Sequence, residues 1–125
     1  MSGISTVEID GRELQVRREF AIAARIEERF GPLAALIERM QKLHLTLREI
    51  ADLYEIALAG HDNPPDRDVI ERHVMKSGAA RACAPLVNLV SALFLGEERF
   101  EAMRRREEAR NGAADPTTAA SRGAN

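Results

Sequence analysis

Tryptophan is absent from this chain of 125 residues, tyrosine and cysteine occur once each, and lysine occurs twice. With aromatics at only 4%, any core must be built from Leu, Ile, Val and Ala. A single cysteine, Cys83, excludes a disulfide scaffold. No apolar run approaches the ~18 residues of a membrane span. The N-terminus lacks the basic and apolar regions of a secretory signal. The expected compartment is therefore the cytoplasm, with Cys83 a reduced thiol. A surplus of one charge is also lacking, since 18 basic and 20 acidic residues leave a net charge of −2. A generic nucleic-acid binder would carry a basic surplus, so the balance argues against that class.

What the chain does have is 45% apolar and 30% charged residues in a length that suits one domain. Residues 4–19 read as a β-hairpin. Val7 and Ile9 alternate with Thr6 and Glu8, and Leu14 and Val16 alternate with Glu13, Gln15 and Arg17. Asp10-Gly11 lies between the two runs, where a tight primed turn needs positive φ. A lone hairpin is marginal in water, so its apolar face should rest on the helices that follow.

Helical periodicity covers 20–30, with Ile22, Ile26 and Phe30 in one stripe and Gly31 as its stop. Pro32 opens a second helix over 33–43, carrying Leu33, Leu36, Ile37 and Met40, with a Glu38–Lys42 pair at i,i+4. Thr46 and Glu49 have the spacing of a capping box. The helix they start carries Leu47, Ile50, Tyr54, Ala57 and Leu58 and runs to Gly60. After the Pro64-Pro65 turn, a fourth helix turns Val69, Ile70, His73 and Val74 inward and closes at Ser77-Gly78. Residues 79–95 form a fifth, strongly apolar helix, which Pro85 should kink or begin.

The expected architecture is α+β and mostly helical, a hairpin packed on about five helices within residues 1–96. Residues 97–110 read as a charged helical extension, and residues 111–125, without a large apolar side chain, as a disordered tail.

Catalytic and ligand constellations are not evident. His44, His61 and His73 are scattered, and none has a second His or a Cys at metal spacing. No cofactor motif such as GxGxxG or a P-loop occurs, and Cys83 has no local partner to activate it. Neighbouring carboxylates such as Glu27 and Glu28 point ~100° apart on a helix. The Arg104–Arg106 run reads as a solvated face. These readings imply a protein that is not an enzyme and has no metal or cofactor. Residues 45–53 resemble the first helix of a helix-turn-helix, so the alternative function is a DNA-binding regulator. Against it, the helix runs long and the next one opens with Asp66 and Asp68.

A second resemblance covers more of the chain. The segments VEIDGR (7–12), FAIAARIEERFG (20–31), LREIADL (47–53) and ALAG (57–60) resemble the small tail-assembly proteins of gene transfer agents and tailed prophages. Phe20 departs from the Leu or Thr-Leu expected at the opening of that helix. The resemblance spans roughly residues 5–96. It implies a non-enzymatic tail assembly chaperone or tail tube-associated protein. The implied partners are the tape-measure protein, the tail tube protein or both, with no membrane partner, and homo-oligomers are allowed. A chaperone of that kind needs exposed apolar side chains. The candidates are Leu33, Leu36 and Met40 on one helix and Leu89, Leu93 and Phe94 on another. An unpaired hairpin edge is a second candidate surface.

Overall fold

Asp10 and Gly11 turn the chain first. In the computed structural model, which describes residues 3–113, both take positive φ, 54° and 84°. They form a two-residue turn between β1 (Ile4–Ile9) and β2 (Arg12–Arg17). The strands are antiparallel, with Val7 opposite Leu14 and Ile9 opposite Arg12. This register puts Val7, Ile9, Leu14 and Val16 on one face, each at most 2% exposed. A shift of β2 by one residue would turn Leu14 and Val16 away from the face that Val7 and Ile9 share.

Five helices supply the other side of that core: α1 (Phe20–Phe30), α2 (Leu33–Gln41), α3 (Leu47–Leu58), α4 (Arg67–Ser77) and α5 (Ala79–Leu95). The expected hairpin-plus-helices class is therefore what the chain adopts. Ile22 and Ile26 of α1, Ile70 and Val74 of α4, and Leu86 and Leu89 of α5 join the hairpin in one apolar cluster. Among the described residues no polar or charged side chain is buried. Tyr54 is the apparent exception. Its ring is fully buried, and its hydroxyl donates to the Ala82 carbonyl, which ties α3 to α5. His73 meets the same ring edge-on, with centroids 5.7 Å apart.

Local chemistry sets the helix ends. Thr46 Oγ1 accepts from the Glu49 N–H at 3.0 Å and Glu49 Oε1 accepts from the Thr46 N–H at 2.9 Å, so the predicted capping box is formed. Helix α2 stops at Gln41 rather than at residue 43. There Leu43 takes φ 56°, its N–H donates to the Met40 carbonyl, and the His44 N–H donates to the Arg39 carbonyl. This is a Schellman end with leucine in the left-handed position where glycine is usual. Helix α3 stops at Leu58, two residues before Gly60. Pro85 lies inside α5 without ending it, removing only the N–H that would serve the Arg81 carbonyl. Helices α4 and α5 meet at 115° across Gly78, whose φ is 85°.

The chain divides into two compact units, one ending at Phe94 and one starting at Leu95. The second holds α6 (Glu97–Ala113). Arg104–Glu108 and Glu107–Arg110 pair along it at 3.6 and 3.9 Å. Its last three residues, 111–113, are helical where a disordered tail was expected. The rest of that expected tail, 114–125, lies outside the described residues. No single helix among those described is long and apolar enough to cross a membrane.

Candidate partner-binding surface

Of the six side chains expected to meet a partner, four are core. Leu36 and Leu89 are fully buried, Met40 is 1% exposed and Leu33 6%. The burial of the three on α2 has a simple cause. Helix α2 is nine residues long and has one apolar face, and the hairpin and α1 leave a core that this face must cover. Burying a Leu or Met there stabilises the fold by about 1.5–3 kcal/mol each, so none is spare for a client. Leu93 is half-buried against the same cluster. Phe94, 53% exposed, is the one of the six that faces solvent.

The exposed apolar side chains that periodicity did not single out are more informative. Leu47, expected inside, is 46% exposed because it is the first residue of α3. Met75 on α4 is 70% exposed. Together they flank a notch of about 290 Å³ between α3 and α4, with Ala51 and Val74 also lining it and Arg48, Arg67 and Glu71 at its rim. Its size suits a single large apolar side chain, and its charged rim suits a protein partner. Sequence missed it because Leu47 and Met75 sit on different helices with Pro64-Pro65 between them.

Beside the notch lies an ionic network that holds α1, α3 and α4 together. Asp52 accepts from Arg67 at 2.8 Å and from Arg29 at 2.9 Å. Arg67 also donates to Glu55 at 2.6 Å and Glu71 at 2.9 Å. Partial burial raises the Asp52 pKa, but the hydrogen bonds from Arg67 and Arg29 outweigh it and the carboxyl sits below its ordinary value. Arg67 is in turn held more firmly protonated, by Asp52 first and Glu55 next. Arg29 also lies 4.7 Å over the Phe30 ring.

This network bears on DNA binding. In a helix-turn-helix, α4 would be the reading helix, presenting free basic side chains after a turn of three or four residues. The connection here runs from Ala59 to Asp66, and Arg67 and Arg72 are both paired within the chain, Arg72 with Asp68 at 3.4 Å. Other candidate chemistry is also occupied. Cys83 is buried, and burial pushes its thiol pKa up, away from reactivity. His73 Nδ1 accepts from the Asp10 N–H at 3.4 Å, and His61 Nδ1 from the Asn63 N–H at 3.3 Å. No group of three His, Cys, Asp or Glu side chains among the described residues is placed to hold a metal.

The architecture is that of a small hairpin-and-helix domain with exposed apolar side chains at Leu47, Met75 and Phe94. Its sequence matches, over residues 2–96, the family model described as phage tail tube protein, GTA-gp10. The chain belongs to that family of phage and gene-transfer-agent tail proteins, which are structural rather than enzymatic. The match covers the hairpin and α1–α5 and stops before α6. No curated protein and no solved structure matches the chain.

Proposed function

We propose that this protein is a tail assembly chaperone that works in the host cytoplasm, holding the tape-measure or the tube protein while the tail is built. The observation that carries the reading is the notch between Leu47 and Met75. It exposes apolar side chains on a domain whose other large aliphatic groups are mostly committed to the core. A client helix would seat one large apolar side chain there, with its charged flanks meeting Arg48 and Glu71. Phe94 is a second contact point on the same compact unit. Family membership supports a role among tail components.

The test is a tagged pull-down from cells with tail genes induced, compared with purified particles. Recovery of tape-measure or tube protein from lysate, with the chain missing from finished particles, is the expected result. Stable retention in finished particles would make it a tail component instead. Recovery of DNA with neither tail protein would favour a DNA-binding regulator.

A further inference from the structure

The hairpin is a two-stranded sheet, and the outer edge of β2 has no partner strand among the described residues. Ile9 and Arg12 flank the two-residue turn and form a hydrogen-bonded pair, so the backbone groups of Glu13, Gln15 and Arg17 point away from β1. The Arg18 N–H, which donates to the Gly3 carbonyl at 2.8 Å, keeps this alternation to the end of the ladder. A groove of about 570 Å³ is lined by Gln15, Val16 and Arg17 of β2, by Ile4 of β1, and by Ile22 and His61. The β1 edge differs, because α4 packs on it at the turn: His73 accepts from the Asp10 N–H, and Lys76 lies 3.6 Å from the Asp10 carboxylate.

The side chains along β2 specify what fits. We propose that β2 pairs antiparallel with β2 of a second copy of this chain, about a two-fold axis through Gln15. In that register Glu13 of one copy lies opposite Arg17 of the other, twice by symmetry, and Gln15 lies opposite Gln15. Leu14 lies opposite Val16, so the apolar face runs on unbroken. All three hydrogen-bonded pairs use residues whose backbone already points outward. Within one chain Glu13 faces another carboxylate, Glu8, directly across the hairpin, an unfavourable pair. Arg17 is within only 4.0 Å of Glu19, with both side chains largely in water. The second copy supplies each with an opposite charge. Arg12 and Arg18 would come together just beyond the paired stretch, but each is turned to its own chain, donating to the Asn63 carbonyl and to the Ile4 carbonyl. This inference stands apart from the chaperone reading.

Sedimentation of the full chain across the micromolar range tests it. The unaltered chain dimerises. Glu13→Arg sets Arg against Arg across the axis, Arg17→Glu sets Glu against Glu, and each weakens association about tenfold or more. The double variant restores it. Glu13→Arg also relieves the Glu8 repulsion, so lost association cannot come from a weakened hairpin, and far-UV circular dichroism of each variant checks this. Gln15→Cys places a thiol on the axis, while native Cys83 is buried, and a short bismaleimide links the dimer through residue 15. A monomer throughout the micromolar range, a dimer indifferent to both reversals, or a double variant that fails to recover would each overturn the proposal. So would a monomer that loses bound tube or tape-measure protein on either reversal, since the edge would then serve a client.

Discussion

Arg39 and Glu49 join two helices through one oxygen. Glu49 Oε1 lies 2.9 Å from an Arg39 guanidinium nitrogen and accepts the Thr46 N–H at the same distance. The same Arg39 nitrogen donates to the His44 carbonyl at 3.1 Å. The last turn of α2, the connecting loop and the cap of α3 are thus one hydrogen-bonded unit. Glu49→Gln keeps the size and an acceptor but loses the charge. It is expected to lower stability by about 1 kcal/mol, and Glu49→Ala by about 1–2 kcal/mol, read from urea unfolding at neutral pH. Equal stability for Glu49→Ala would mean that the cap contributes nothing.

Acid should act through the same residue and through Asp52. The Thr46 N–H first, and then Arg39, hold the Glu49 carboxyl below its ordinary value of 4.5 against an opposing effect of burial. Asp52 lies below its ordinary 3.8 because Arg67 and Arg29 outweigh burial. Both folded pKa values are lowered, so the unfolded chain takes up protons first as pH falls. Their stabilisation is whole above the ordinary values and is lost as pH drops through the folded ones. Unfolding free energy should therefore fall from about pH 4.5 downward, and the Glu49→Gln, Asp52→Asn double variant should show a flatter acid limb. An unchanged acid limb in that variant would place the acid sensitivity elsewhere.

The end of α2 carries a cost that can be removed. Leu43 holds φ 56° and is 51% exposed, so its side chain is given little packing in return. A left-handed conformation costs a non-glycine residue about 1–2 kcal/mol, and glycine gives back part of that as unfolded-state entropy. Leu43→Gly should raise stability by about 0.5–1 kcal/mol and lift the thermal midpoint. A lower midpoint would show that the Leu43 side chain packs more than its exposure implies.

Tyr54 offers a control inside the core. Its hydroxyl reaches the Ala82 carbonyl, and burial, its largest influence, raises the phenol pKa well above the ordinary 10.0. Tyr54→Phe keeps the ring against His73 and loses the hydrogen bond, with an expected cost of about 1–1.5 kcal/mol by denaturant unfolding. A neutral result would mean that the link between α3 and α5 is packing alone.

These residues also mark where sequence reading reached and where it stopped. The Asp10-Gly11 turn, the Gly31 stop and the Thr46–Glu49 box are contacts between near neighbours, so spacing alone reveals them. The Glu38–Lys42 pair, formed at 3.2 Å, is of the same kind. Arg39 reaching Glu49, or Arg29 and Arg67 converging on Asp52, depends on how helices cross, which no local pattern carries. The placement of the candidate partner residues has a related reason. Periodicity identifies an apolar face but not whether another element of the same chain covers it. Leu36 and Met40 look available until α2 is seen lying on the core, and Leu47 looks buried by its period although the Thr46 cap already makes it the first residue of its helix. Met75 drew no notice because a single methionine among charged residues has no period.

The notch yields the sharpest functional prediction because two of its lining residues, Leu47 and Met75, are exposed and can change without harm to the fold. Met75 is 70% exposed and lies outside the buried cluster, so Met75→Glu should alter stability by no more than about 0.5 kcal/mol. Leu47→Asp places an acidic group in the first turn of α3, where the helix dipole favours it, so that variant should fold as well. Each puts a carboxylate beside a notch of about 290 Å³ that a client would otherwise fill with an apolar side chain. Desolvating that carboxylate on docking should cost enough to weaken capture of tape-measure or tube protein about tenfold or more. The comparison variant is Phe20→Ser, which removes an 88% exposed side chain outside the notch and should leave capture unchanged. Pull-down yields for the three variants, read beside their thermal midpoints, separate a lost contact from a lost fold. Full capture by Met75→Glu and Leu47→Asp would move the client to another face, where Phe94 is the first residue to change.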